Sequence, residues 1–415
     1  MSRFFIVLVI LYLITAFYGF QAFRTLVKNP YLQIAYGLCF IGVLVNLYFQ
    51  FNYFDRSQGL TSAMSLAIGL FLAFLLFALF SGIFMLVEDV VRFFSWAFGK
   101  VFQLGSGGEN TMVFPSRRKF VSSLALGVAA VPFLSIFYGM YKGKYDYQVL
   151  KYTLEFDDLP DAFDGYTITQ ISDIHSGSFD NKEKVKYVVD LINEQASDVL
   201  LFTGDMVNNL AREMHPWKEI FANLKAKDGK FSILGNHDYG DYAEWESEAA
   251  KAENLEELKQ IQKEMDFDLL LNESRFLEKN GQRIALIGVE NWGQGGFKKA
   301  GDLNKAIENI DANDFKILMS HDPSHWEYEV IDHPYHYHLT LSGHTHGMQF
   351  GVEIPGWFKW SPVKWRYKYW AGIYKEMGQY INVNRGLGFI GYSGRVGIWP
   401  EVSVIELKRK TKGTV

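Results

Sequence analysis

The apolar positions of this chain change rhythm once. Up to about residue 145 they run in long, nearly unbroken blocks. Beyond it they fall into short β-rich runs separated by polar stretches of helical period. Four blocks, at residues 4–23, 31–51, 64–87 and 120–141, are long enough to cross a hydrocarbon core of about 30 Å, which takes roughly 20 helical residues. Residues 70–80 of the third block contain no polar side chain. Pro132 in the fourth is compatible with a spanning helix, because membrane helices accommodate proline kinks. The pattern predicts an all-α transmembrane module of four helices over residues 1–145, followed by a domain of different construction over 146–410.

In that second domain six apolar runs predict strands, at residues 167–171, 199–202, 231–234, 283–289, 315–319 and 338–341. Between them, Val185, Val188, Val189 and Ile192 mark one face of a helix over 181–195, with a cap near Asp180. Residues 241–264 predict a long acidic helix with Trp245, Ala249, Leu255, Leu258 and Ile261 at helical spacing. Its charges read as a solvated face, with a lid over a crevice as the other option. There is no internal repeat, and the low-complexity stretch is residues 105–110.

Five of the six strands end in a small or polar residue followed at once by a candidate ligand. They read Ile171-Ser-Asp-Ile-His175, Phe202-Thr-Gly-Asp205, Leu234-Gly-Asn-His-Asp238, Met319-Ser-His321 and Leu341-Ser-Gly-His-Thr-His346. In open α/β sheets ligands gather beyond the carboxyl ends of the strands, so these ends are expected to converge on one crevice. Glycine at such a turn lets the backbone leave the strand sharply and approach a ligand closely.

Charge sharpens the division. The net charge is −5, yet the first 150 residues hold 11 Lys/Arg against 5 Asp/Glu, and the remainder 30 against 41 together with all ten histidines. So sparse a charge excludes disorder at the front. The acidic back domain offers no broad basic face, which argues against nucleic acid as a partner. A single cysteine, Cys39, excludes an intramolecular disulfide framework and a thiolate-rich metal site, and reads as a small buried hydrophobe.

Lys/Arg bias orients the module. The first connector carries Arg24 and Lys28, and the third carries Arg92, Lys100, Arg117, Arg118 and Lys119. The second, on the opposite side, offers only Arg56. Placing the richer side in the cytoplasm puts the back domain outside, on the far face of the inner membrane; Arg3, Lys142 and Lys144 argue the other way. Ser116-Arg117-Arg118-Lys119-Phe120-Val121 resembles a twin-arginine export signal, although such signals normally open a chain. The plain alternative is a charged helix flank.

The strand ends supply Asp173, His175, Asp205, Asn236, His321, His344 and His346. Seven oxygen and nitrogen ligands are too many for one tetrahedral ion and suit two adjacent ones. Without sulfur donors the set favours Mn, Fe or Zn. Two divalent ions about 3.5–4 Å apart share a ligand, and a carboxylate such as Asp205 can bridge them.

Asp173-Ile-His175, Gly204-Asp205-Met-Val-Asn208, Gly235-Asn236-His237-Asp238, His321 and Gly343-His344-Thr-His346 resemble, in order, the five motifs of calcineurin-like metallophosphoesterases. The resemblance covers roughly residues 149–407. It implies an α/β fold, a four-layer α-β-β-α sandwich. It assigns Asp173, His175 and His346 to a first metal, Asn236, His321 and His344 to a second, and Asp205 to both. His237 would stabilise the phosphoryl oxygens and protonate the leaving oxygen, with Asp238 orienting its imidazole. Asn208 stands where the family often has Asp, a supporting position.

Of the other histidines, His215 is expected to be exposed, and His325, His333, His336 and His338 to be ordinary surface or strand residues. Asp157 and Asp158 read as turn carboxylates. The segment from Trp357 to Trp370 packs four of the ten tryptophans into fourteen residues, interleaved with Lys359, Lys364, Arg366 and Lys368. It reads either as a contact with the bilayer interface or as a packed aromatic cap, with a single-stranded nucleic-acid platform as a third option. Val383-Asn-Arg-Gly-Leu-Gly388 and Pro400-Glu-Val402 resemble the membrane-attached branch of the family, whose members hydrolyse phosphodiesters. The expectation is therefore a membrane-anchored, dinuclear phosphoesterase whose partners are a lipid bilayer and a phosphodiester substrate, lipid-linked or from the cell envelope. The alternatives are a UDP-2,3-diacylglucosamine-type pyrophosphate hydrolase at the cytoplasmic face and a non-catalytic membrane metal-binding sensor.

Overall fold

The computed structural model describes residues 3–102, 115–354 and 356–410, so the low-complexity stretch 105–110 lies outside the described residues. The chain divides into two compact units, Met1–Phe54 with Ala63–Tyr141 and Asp55–Ser62 with Lys142–Val415.

The first unit is built from α1 (Arg3–Leu26), α2 (Pro30–Asn52), α3 (Ser62–Phe102) and α4 (Pro115–Tyr141). Each is long and apolar enough to cross a membrane. α2 starts sharply because the Asn29 side chain accepts from the peptide N–H groups of Tyr31 and Leu32 and Pro30 occupies the first turn. Gly19 and Gly82 let α1 and α3 approach closely: a Cβ at Gly82 would lie 3.3 Å from the Thr15 carbonyl.

Two expectations need correction. α3 does not stop at residue 87; its 41 residues extend about 60 Å at 1.5 Å per residue, twice the hydrocarbon core. Hydropathy marks where an apolar span ends, not where a helix ends. Glu88, Asp89 and Arg92 continue the helix by pairing: Arg92 meets Glu88 at 2.6 Å, and Arg118 of α4 reaches Glu88 and Asp89 at 3.3 Å. Arg118, half of the arginine pair, thus ties two helices together. Cys39 is exposed rather than buried, as expected of an apolar side chain on the outer face of a spanning helix, whose solvent is lipid.

The second unit runs β1 (Gln148–Phe156), β2 (Tyr166–Ile171), α5 (Lys182–Asn193), β3 (Val199–Phe202), α6 (Lys218–Phe221), β4 (Lys230–Ser232), α7 (Glu248–Glu264), β5 (Asp268–Leu269), β6 (Glu273–Lys279), β7 (Gln282–Gly288), α8 (Leu303–Ala306), β8 (Lys316–Met319), β9 (Leu339–Ser342), β10 (Val352–Ile354), β11 (Phe358–Trp360), β12 (Gly372–Glu376), β13 (Gln379–Val383) and β14 (Glu401–Arg409). Two six-stranded mixed sheets form, in the orders β1-β14-β2-β3-β4-β5 and β12-β13-β9-β8-β7-β6, and β10 and β11 make a separate ribbon.

Period-two alternation stacks the sheets. Val199 and Leu201 point into a shared apolar layer with Ile284, Leu286, Ile317, Leu339 and Leu341 of the other sheet. Leu200 and Phe202 point outward onto Val188 and Ile192 of α5 and Leu258 and Ile261 of α7. On the far side, Ala285, Ile287 and Leu318 meet Leu303, Ala306, Trp326 and Val330. These are the four layers α-β-β-α, the last one thin.

β2, β3 and β4 run parallel, as do β8, β9 and β13, so the carboxyl ends of each set lie along one edge of its sheet. The long acidic helix is shorter than expected: α7 begins at Glu248, where Ser247 caps the Ala250 N–H. Trp245 donates to the Gly240 carbonyl at 2.8 Å, holding the preceding residues as a loop. The connector between α2 and α3 belongs to this unit, where Arg212 donates to the Ser57 carbonyl at 3.3 Å.

Candidate metal centre

Each motif leaves its strand through backbone that only a demanding site explains. Asp173, His175, Asp205, His344 and His346 all have φ between 46 and 71°, the left-handed region that costs an L-residue roughly 1–2 kcal/mol. The flanking glycines allow this crowding: a Cβ on Gly235 would strike the Asp205 carboxylate, and one on Gly343 the Asp173 carboxylate.

The side chains converge in two groups. Ligand atoms of Asp173, His175 and His346 lie within 4.8 Å of one another, as do those of Asp205, His321 and His344. Asn236 joins the second group, its Oδ1 2.8 Å from His344 Nδ1. Asp205 Oδ2 stands between the groups, 3.1 Å from His321 Nε2 and 3.6 Å from His175 Nε2. All seven expected ligands therefore lie at one place.

The donor set suits cations. His175 Nε2 and His346 Nε2 face each other at 3.0 Å. His321 donates its Nδ1–H to the Thr203 carbonyl at 2.7 Å and turns its buried Nε2 to Asp205 Oδ2 at 3.1 Å; His175 Nδ1 is buried and without a hydrogen-bond partner among the described residues. An imidazole whose other nitrogen donates to a carbonyl is oriented for ligation. Burial would raise the Asp173 carboxyl, but His346 and His321 overcome it and hold it below the usual range. Burial would lower His321, but the charge of Asp205 and its hydrogen bond push it up to about 10. Two divalent ions compete for these same nitrogens and carboxylates, so the residues fit a dinuclear site.

His237 lies at the rim, its ring edge-on to His175 with centroids 4.9 Å apart. Its Nδ1 donates to the Asn208 carbonyl at 2.7 Å, leaving Nε2 for a ligand. Burial and the neighbouring histidines lower its pKa, against Asp205. Asp238 does not orient this imidazole, and the expectation is corrected. Its buried carboxylate instead accepts the peptide N–H groups of Gly235 and Asp205 at 2.9 Å and Met206 at 2.8 Å, stapling the second and third motif loops together. The residue next to a histidine on a tight turn points away from it, and three bare peptide donors claim the carboxylate first. Burial, with Asp205 nearby, pushes Asp238 up to about 7. Asn208 supports through its backbone carbonyl, while its side chain meets Ser178.

Residues that the sequence did not single out complete the surroundings. The Tyr367 hydroxyl meets His344 Nε2 at 2.8 Å, and Tyr242 accepts from Asn236 Nδ2 at 2.8 Å. The buried Arg395 guanidinium reaches His346 Nδ1 at 3.3 Å and gathers the carbonyls of Arg385, Gly386 and Gly388. Tyr242 was hidden by reading residues 241–264 as one helix, and Tyr367 by its place in an aromatic run. Outside the site, His215 is exposed and pairs with Glu257 at 2.8 Å. His325 and His338 are buried: His325 stacks on Trp292 and meets Ser320, and His338 binds Asp158 at 2.8 Å. The tryptophan segment divides, with Trp370 and Tyr369 packed inside and Trp357 and Trp365 exposed.

Comparison with known proteins agrees with this geometry. Residues 2–144 match the family described as probable calcineurin-like phosphoesterase, transmembrane domain, and residues 166–348 match the calcineurin-like phosphoesterase family. The chain is 28% identical over 299 residues to an uncharacterized metallophosphoesterase, YkuE, of Bacillus subtilis, covering 71% of this chain and 98% of that one. It is 25% identical over 337 residues to a transmembrane protein with metallophosphoesterase domain from Danio rerio, covering 78% and 72% respectively. An uncharacterized metallophosphoesterase of Aquifex aeolicus is 28% identical over 282 residues, covering 67% and 99%. The chain belongs to the calcineurin-like metallophosphoesterases, metal-dependent phosphoric ester hydrolases, and joins that domain to a four-helix transmembrane domain.

Proposed function

We propose that this chain is a phosphodiesterase of the inner membrane, acting on lipid-linked or cell-envelope phosphodiesters with its catalytic domain on the extracytoplasmic side. The observation that carries the reaction is the pair of ligand groups with Asp205 standing between them and His237 at their edge. Asp173, His175 and His346 would hold one ion, and Asn236, His321 and His344 the other, with Asp205 common to both; Mn, Fe or Zn suits these donors. When bound, such a pair supplies an activated water and a clamp on the phosphoryl oxygens. His237, fixed through Nδ1 by the Asn208 carbonyl, presents Nε2 to the substrate and delivers a proton to the departing oxygen. Asp238 keeps the Asp205 and His237 loops in register.

The orientation is supported by the charges. The second connector, which carries only Arg56, groups with the catalytic unit, and it is the connector poorest in Lys/Arg. Lys144, which argued the other way, is buried against Asp180 at 2.6 Å and counts as part of the domain.

The full chain in nanodiscs with Mn²⁺ is expected to cleave an aryl phosphodiester, and to lose activity with chelator or as His237→Ala, by about 10²–10⁴ in kcat. A wild-type protein that binds two metals and turns over no mono- or diester would instead make it a sensor. A C-terminal reporter active only in the cytoplasm would reverse the orientation and favour the nucleotide-lipid pyrophosphate reading.

A further inference from the structure

The ribbon of β10 and β11 is inside out for a protein in water. Its register pairs Val352 with Trp360, Glu353 with Lys359 and Ile354 with Phe358, so the two charged side chains share one face and the apolar ones the other. A ribbon lying on a soluble protein turns its apolar face inward. Here the charged face is the one that is held. Glu353 receives the Arg385 guanidinium at 2.6 and 3.1 Å, and Lys359 donates to the Ala371 carbonyl and lies 4.3 Å above the Tyr374 ring. The apolar face is left outward, with Val352 50%, Ile354 44% and Phe358 49% exposed, and Trp357 beside them 81% exposed. Trp365, five residues beyond the ribbon, is 76% exposed. A cavity of about 700 Å³ lies beside the ribbon, lined by Ile354 and Phe358 and also by Glu353, Lys359 and Arg385 of the held, charged side.

We propose that this outward face is a second membrane contact, separate from the spanning helices, in which Trp357, Phe358 and Trp365 sit in the headgroup zone of the bilayer. Three observations select a bilayer as the occupant. The same chain carries four apolar helices, which keep a bilayer within reach at high effective concentration. Exposed tryptophans beside aliphatic side chains are the composition of membrane interfaces. Lys364, exposed between Trp360 and Trp365, adds a cation suited to anionic headgroups. The contact also bears on the reaction. Tyr367, two residues past Trp365, touches His344 of the metal centre, so seating Trp365 among headgroups brings the mouth of that centre to lipid phosphates. This last consequence rests on the function proposed above; the contact itself does not.

The test uses the full chain in nanodiscs. In a Cys39→Ser background, a single cysteine placed as Trp357→Cys carries an environment-sensitive fluorophore, and Met377→Cys, exposed on the turn between β12 and β13, serves as the control. The label at 357 is expected to emit blue-shifted and to be quenched by lipids spin-labelled near the headgroup, while the label at 377 shows neither. A label at 357 that stays water-exposed and unquenched overturns the proposal. So does a blue shift that depends on protein concentration and not on lipid quencher, which would assign the face to a second copy. In parallel, Trp357→Ser with Phe358→Ser is expected to slow hydrolysis of a vesicle-embedded phosphodiester several-fold and leave a soluble aryl phosphodiester unaffected. Equal loss on both substrates would mean that the ribbon serves the fold alone and would overturn the proposal. Absence of any turnover, with quenching intact, would instead strike the proposed function.

Discussion

Replacing Asp238 by alanine separates two roles that a sequence cannot distinguish. If the carboxylate oriented His237, its loss would cost rate and little stability. In the structure it accepts three peptide N–H groups at 2.8–2.9 Å, from Gly235, Asp205 and Met206, and touches no histidine nitrogen. Asp238 is fully buried, so alanine leaves three donors facing apolar space. Each unsatisfied buried donor costs about 1–3 kcal/mol, and a water entering the vacated volume would recover part of one, giving about 2–8 kcal/mol in all. At roughly 2–4 °C per kcal/mol for a domain of this size, the catalytic unit should melt about 4–30 °C below wild type, about 15 °C at the middle of both ranges. Asp238→Asn keeps one acceptor oxygen and should fall between. His237→Ala gives up one hydrogen bond, worth about 1 kcal/mol, and should melt near wild type while losing activity. The assay is thermal unfolding of the purified full-length variants, alongside kcat measured well below their midpoints. An Asp238→Ala protein that melts with wild type yet loses kcat as His237→Ala does would refute the staple and restore the dyad.

Two further outcomes follow from the same geometry. Burial raises the Glu213 carboxyl to about 7, against the N–H groups of Asn208 and Asn209 that it accepts. Its folded pKa then exceeds the unfolded value near 4.5, so its stabilising contribution is complete below about 4.5 and is lost as pH rises through 7. Wild type should therefore lose about 2 kcal/mol more than Glu213→Gln between pH 5 and 8 in denaturant titrations, and parallel curves for the two proteins would contradict this. Asp205→Ala removes the carboxylate that stands between the two ligand groups and, if it serves both as proposed, should abolish both ions in metal analysis, whereas Asp173→Ala should retain one; equal stoichiometry in the two variants would deny Asp205 a shared position.

Sequence revealed what side-chain chemistry dictates and concealed what backbone does. Asp173, His175, His344 and His346 were legible because few residue types ligate metals and each follows a strand whose apolar alternation is plain. The grip on His237 was not, because its partner is the carbonyl of Asn208, a group that every residue carries. The family resemblance cast Asp238 as an orienting acid, and only the turn geometry sends its carboxylate the other way. Hydropathy found four spans yet stopped α3 short by fifteen residues, since Glu88 and Arg92 look like an exit until Arg118 is seen to pair there. The tryptophan segment could not be resolved from composition, because Trp370 and Trp357 are the same residue type and only burial separates them, 5% against 81% exposed.

The left-handed backbone at five of the seven proposed ligand positions explains why such a centre needs the rest of the domain. At roughly 1–2 kcal/mol each, that strain approaches the net stability of a typical fold, and no single contact offsets it. Glycine at those positions would relieve it and remove the ligands. The domain instead keeps aspartate and histidine there and surrounds them with devices that cost no ligand: Asp238 binding the N–H groups of two loops, Arg395 collecting the carbonyls of a third, and Gly235 and Gly343 yielding space to the carboxylates. Positive φ alone is not the mark of the site, for Ala196 and Met377 have it in ordinary turns. The mark is its coincidence with buried carboxylates and imidazoles that point at one another, an arrangement that like-charged and desolvated groups would otherwise avoid and that a pair of shared cations would reward.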